Sequence, residues 1–142
     1  MSESELSLVL DLALARTLVV KELDGALGAL HGLGLNDLAL LIELKAAPQG
    51  RMRRVELANR LGITASGVAR QLAPLERRKI VTRESNPSDA RLALVVLTDA
   101  GAKLLEQTLP TAQEDAEWVV AKHWSPAEQT RLGKLLSAVR KG

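Results

Sequence analysis

The chain has no cysteine, no phenylalanine and no tyrosine, and only two tryptophans among its 142 residues. Without cysteine there is no disulfide framework, zinc ribbon or thiol redox sensor, and this usage fits a cytosolic protein. Without Phe or Tyr, a hydrophobic fraction of 46% must be met almost entirely by Leu, Val, Ile and Ala, which suit packed helices. Long hydrophobic runs are also missing, because Asp11, Arg16, Lys21, Asp24, Asp37 and Glu43 cut the apolar stretches before a membrane-spanning length is reached. The opening Met1-Ser-Glu-Ser-Glu5 is acidic where a secretory leader would begin basic. His31 and His123 are the only histidines, too few for a metal site without recruited carboxylates, and both are expected to be ordinary hydrogen-bonded side chains. No nucleophile with a base and an orienting group is legible, nor any phosphate loop, so neither an enzyme nor a cofactor-binding protein is expected.

What is present begins with charge. The net charge of +2 hides an uneven distribution: residues 51–91 hold 10 Lys or Arg against 4 acids, leaving 9 against 13 elsewhere. The segment is thus +6 and the remainder −4. Such a region is the footprint of a polyanion-binding face, since phosphate neutralisation dominates nucleic-acid affinity; charge alone also allows a merely solvated basic surface. The length suits one domain, 1–142.

Patterning divides that domain. From Leu6 to Leu30 apolar residues occupy more than one helical face, so this helix must be covered on several sides, partly by a second subunit. Asn36 is expected to cap a helix over Asp37 to Ala47, ended by Pro48-Gln-Gly50, with Arg51-Met-Arg53 as an edge strand. A helix from Val55 to Leu61, burying Val55, Leu57, Ala58 and Leu61, stops at Gly62, and Thr64 caps the next. In that next helix Val68, Leu72 and Leu75 form the core stripe. A step of about 100° per residue puts Ser66, Gly67, Arg70, Pro74 and Arg77 opposite, with Gln71 at the edge. Pro74 predicts a bend, and Pro110 a kink further on. Val81 to Ser85 and Arg91 to Leu97 read as a hairpin across Asn86-Pro-Ser-Asp-Ala90. Thr98 caps a helix to His123, and Ser125-Pro-Ala-Glu128 opens a last one to Arg140 with a capping box.

These residues resemble the MarR family of winged-helix transcriptional regulators over nearly the whole chain. The likeness lies in Val55-Glu-Leu-Ala-Asn-Arg-Leu-Gly-Ile-Thr64, in Val68-Ala-Arg-Gln-Leu-Ala-Pro-Leu-Glu76, and most specifically in Asp89-Ala-Arg91 followed by Val96-Leu-Thr-Asp-Ala-Gly101. It implies a mainly α fold with a small antiparallel β-hairpin wing, in which 36–98 form the DNA-binding lobe and 1–35 with 99–142 a helical dimerisation region. It further implies a homodimeric cytoplasmic repressor on a pseudo-palindromic operator, and a small-molecule effector bound between the dimer helices and the lobe. Two departures stand out: Lys79 replaces the glycine that usually ends the recognition helix, and Gly67 replaces a hydroxyl residue.

The expected DNA contacts follow. Thr64, Ser66, Gly67, Arg70, Gln71 and Arg77 line the recognition helix, where Arg suits guanine and Gln suits adenine. Asp89 is expected to hold Arg91 as the wing enters a minor groove, against the alternative of a solvent-exposed ion pair. Arg53, Arg54 and Arg78 are candidate phosphate contacts. The run Arg77-Arg78-Lys79 equally suits a helix C-terminus, where the dipole favours cations without any ligand. Trp118 and Trp124 are expected to pack in the dimer core in preference to bordering a pocket. The alternatives are a protein-binding module using the terminal helices, or a small-molecule carrier, on the same scaffold.

Overall fold

A computed structural model describes residues 4–85, 88–89 and 93–142. The order is α1 (Glu5–His31), α2 (Leu35–Ala46), a 3₁₀ turn (Pro48–Gly50), β1 (Arg51–Arg53), α3 (Arg54–Leu61), α4 (Ala65–Arg77), β2 (Val81–Glu84), β3 (Leu94–Leu97), α5 (Asp99–His123) and α6 (Pro126–Lys141). It is mainly helical with one three-stranded antiparallel sheet, ordered β1-β3-β2. Val81 to Glu84 pair with Leu97 to Leu94, and Arg51 to Arg53 pair with Val96 to Leu94 on the other edge. The second strand of the predicted hairpin is described from Leu94, and its predicted first residue, Arg91, lies outside the described residues.

The core gathers under α4. Val68, Leu72 and Leu75 are buried as their i, i+4, i+7 spacing requires, against Leu40, Leu41 and Leu44 of α2, Leu57 and Ala58 of α3, and Val81 and Val95 of the sheet. α4 passes through Pro74 and α5 through Pro110 as single helices.

Two local expectations need correction. The helix predicted from Asp37 starts at Leu35 with Gly34 as its cap, because carboxylates take the orphan donors there: Asp37 accepts from Gly34 N–H at 3.1 Å and Asp24 from Leu35 N–H at 2.6 Å. Val55, assigned to the core of α3, is 63% exposed, since Leu57 and Ala58 supply the buried face one step further round. Trp118 is 65% exposed in the single chain, with Lys122 Nζ 4.8 Å above its ring; its expected place in a dimer core would lie between two copies of the chain.

Beyond the core, α1 packs chiefly along α5. Only Leu23 and Leu27 of α1 are buried, and no residue of α6 is. Among the described residues no helix is long and apolar enough to cross a membrane.

Candidate nucleic-acid interface

The site is built on two helix ends of the same design. α3 stops where Gly62 N–H donates to Asn59 O and Ile63 N–H to Ala58 O, and α4 stops where Lys79 N–H donates to Glu76 O and Ile80 N–H to Leu75 O. Both are Schellman closures, with the residue after the cap left-handed: Gly62 at φ 68 and Lys79 at φ 60. The first closure turns the chain from α3 into α4. Thr64 then caps α4, its hydroxyl accepting from Gly67 N–H at 3.0 Å and lying 3.2 Å from Ser66 Oγ. The predicted glycine departure at Lys79 therefore falls on a backbone conformation that glycine adopts without strain.

The second closure is held by the Thr98-Asp-Ala-Gly101 turn. Thr98 Oγ1 lies 2.7 Å from Lys79 O and 2.9 Å from Ile80 O, and it accepts from Gly101 N–H at 2.9 Å. Gly101 is buried there, and a Cβ would stand 2.1 Å from Ile80 O. That backbone approach is the physical reason for glycine in the motif, which fixes the first turn of α5 against the end of α4.

On the outer side of α4, Ser66, Ala69, Arg70, Pro74 and Arg77 are exposed. Ala69 was missed in the sequence, although its place beside Ser66 and Arg70 on the helix makes it part of this face and its methyl suits apolar contact with a thymine methyl. Gly67 is half-buried, and a Cβ there would be 3.2 Å from Thr64 Oγ1. Gln71 is half-buried too, and its amide donates to Asn36 O at 2.7 Å rather than standing free for a base.

Ion pairing sorts the basic residues. Arg51 pairs with Glu84, Arg60 with Glu56 and Glu43, and Arg83 with Glu76. Arg78 is spent on main-chain carbonyls of Gly32 and His31. Arg53, Arg54, Arg70 and Arg77 have no ion-pair partner among the described residues. Asp89, at the wing, is half-buried and makes contacts of its own, while its expected partner Arg91 is outside the described residues. His31 is satisfied by Thr111, 3.1 Å from its Nε2, as an ordinary core-edge histidine.

A helix-turn-helix with an exposed reading face, uncompensated arginines and a β-hairpin beside it defines a winged-helix protein of the nucleic-acid-binding class. Residues 31–92 match the model of the MarR family. Over its full length the chain superposes with a TM-score of 0.82 on Sco3205 of Streptomyces coelicolor, a MarR family transcriptional regulator in complex with DNA, at 30% identity and covering 91% of that chain. CouR, a transcriptional repressor bound to a 23-mer DNA duplex, is similar with a TM-score of 0.76 and 26% identity, over 98% of this chain and 97% of that one. The uncharacterized HTH-type transcriptional regulator YxaD of Bacillus subtilis (strain 168) is 35% identical over 92 residues, 65% of this chain and 64% of that protein's length. The chain belongs to the MarR family of transcriptional regulators.

Proposed function

We propose that this protein is a homodimeric, sequence-specific DNA-binding repressor in the cytoplasm, placing α4 of each subunit in successive major grooves of a pseudo-palindromic operator. Productive docking puts two such helices about 34–36 Å apart. The observation that carries the reading is the sorting of charge: among the described residues the guanidiniums of Arg53, Arg54, Arg70 and Arg77 are left without acidic partners, while Arg51, Arg60 and Arg83 are neutralised by Glu84, Glu56 with Glu43, and Glu76. In this reading Arg70 and Ser66 meet base edges, Thr64 and Gly67 set the first turn of α4 on the duplex, and Arg53, Arg54 and Arg77 meet phosphates. Asp89 holds Arg91 as the wing reaches the flanking minor groove. A small-molecule effector that favours the DNA-incompetent spacing of the two lobes supplies regulation.

Footprinting on the DNA upstream of the coding region, with titration over a range of salt, tests it. The expected result is a symmetric protected site, steep salt dependence, and loss of specific binding in Arg70→Ala greater than of non-specific binding. No binding even at low salt would leave the protein-binding or carrier reading in its place.

A further inference from the structure

One set of contacts at the edge and end of α4 is made to its own chain, by half-buried Gln71 and exposed Arg78. Just beyond its last turn, the Arg78 guanidinium lies across the C-terminus of α1, Nη1 donating to Gly32 O at 2.8 Å and Nη2 reaching His31 O at 3.5 Å. These are carbonyls at the negative end of the helix dipole, where a cation is stabilised. Gly32 is the left-handed cap of α1 at φ 68, and a Cβ there would stand 3.3 Å from Nη1 and 3.4 Å from Nη2. The missing side chain leaves the space in which the guanidinium rests. About two turns earlier, on the half-buried edge of α4, the Gln71 amide donates to Asn36 O at 2.7 Å. The Asn36 side-chain carbonyl in turn accepts from Arg16 Nη2 of α1 at 3.0 Å. The recognition helix is thus tied to α1, directly and through the first turn of α2, by polar contacts separate from its hydrophobic stripe.

We propose that Arg78 and Gln71 are positioning residues that lock the recognition helix to α1, and thereby set the separation of the two reading helices, without contacting DNA. The proposal rests on the dimeric regulator reading above. α1 carries the apolar arm that joins the subunits in that reading, so whatever fixes α4 on α1 fixes it relative to its symmetry mate. Two helices that must fall on successive grooves tolerate little rotation, and directional hydrogen bonds to a planar guanidinium and a carboxamide restrict rotation better than a sliding apolar contact. Both residues were expected from sequence to meet DNA, as a phosphate contact and a base contact. Their partners in α1 and α2 occupy them instead.

The experiment uses the full-length protein and a duplex that it selects from a randomised pool, together with versions carrying one base pair more or fewer at the centre and an unrelated duplex. For Arg78→Ala and Gln71→Ala we expect affinity for the selected duplex to fall about tenfold and discrimination against altered spacing to shrink as much. The salt slope and binding to the unrelated duplex should stay at wild-type values. Gly32→Asn, a residue that tolerates the left-handed cap while displacing the guanidinium without removing its charge, should behave in the same way. An Arg78→Ala protein whose salt slope drops by about two per dimer, with equal losses on both duplexes, would show a phosphate contact and overturn the proposal. So would Gly32→Asn binding indistinguishable from wild type. Hydrogen exchange without DNA gives an independent reading: Arg78→Ala should accelerate exchange at the amides of Lys79 and Ile80, and unchanged protection sinks the tie. A wild-type protein that selects no duplex removes the regulator reading itself, a result separate from all of these.

Discussion

The winged-helix lobe and the helical arm use the same apolar side chains to opposite ends. In the lobe Leu40, Leu41, Leu44, Leu57 and Leu72 are buried at 0 to 1% exposure, enclosed by their own chain. In the arm Leu6, Leu8, Val9 and Leu10 stand 59 to 67% exposed on α1, and Leu135 and Val139 stand 62 and 74% exposed on α6. A fully buried leucine contributes about 1.5–3 kcal/mol relative to an exposed one, so the arm holds back stabilisation that only another surface can realise. The lobe is a finished core. The arm leaves these leucines and valines uncovered in the single chain, as the dimeric reading proposed above requires of an assembly surface. Each region can be broken separately, and the sizes of the effects should rank accordingly.

The largest effect belongs to Gly101→Ala in the lobe. Its new methyl would have to displace the Ile80 main chain, whose carbonyl oxygen lies 2.1 Å from the added carbon, with Leu97 Cδ1 at 2.8 Å. Backbone hydrogen-bonded into the α4 closure cannot yield cheaply, and we expect a loss of about 4 kcal/mol or more by urea unfolding. A loss below about 1 kcal/mol would mean that the α4–α5 junction is soft, and the rigid lobe of the comparison would fail.

In the arm, Leu12→Glu should act on assembly and spare the lobe. Leu12 is 51% exposed in the single chain, so the change costs little there, while burial against a second copy would be lost in both subunits. At about 2 kcal/mol per subunit the dimer should dissociate roughly a thousandfold more readily, as read by sedimentation equilibrium. Unfolding of the dilute monomer should be unchanged. Self-association as tight as wild type would place the subunit interface elsewhere.

The same division explains what could be read from the sequence. The lobe's short-range features were legible because their determinants lie within a turn of each other: the Val68, Leu72, Leu75 stripe, the Thr64, Thr98 and Ser125 caps, and the Gly62 turn. That one chain cannot cover α1 was legible from apolar residues on too many of its faces, and Leu6, Leu8, Val9 and Leu10 are exposed. What could not be read depends on partners far along the chain. Arg78 meets Gly32, 46 residues away, and Gln71 meets Asn36, 35 residues away, distances at which spacing rules carry no information. Asn36 lost the cap position for a related reason, since the helix already starts at Leu35, whose N–H is taken by Asp24, 11 residues back along the chain.

Lys79 offers a smaller test within the lobe. The Gly62 and Lys79 closures share the same hydrogen bonds, yet one carries a residue free in the left-handed region and the other a side chain that is strained there. Lys79→Gly should therefore stabilise the chain by about 1 kcal/mol, seen as a raised urea midpoint at unchanged slope. Destabilisation would show that the lysine side chain supplies something the backbone argument omits.

The smallest effect lies in the arm, at the start of α6. Glu128 accepts from Ser125 N–H at 2.9 Å while Ser125 Oγ accepts from Glu128 N–H at 3.2 Å. The main-chain donor of Ser125, and then its hydroxyl, hold the Glu128 carboxyl below the usual glutamate range. Because the folded value is the lowered one, the cap's contribution is complete above the unfolded value and is lost as pH falls through the folded value. On acidification the α6 amides should exchange faster while those of α4 keep their protection, and Glu128→Gln should remove that pH dependence. Since Glu128 is fully exposed, the change should appear as fraying of one turn and leave global unfolding untouched. Acid fraying of α4 together with α6 would mean that the arm and the lobe unfold as one unit, against the separation on which the comparison stands.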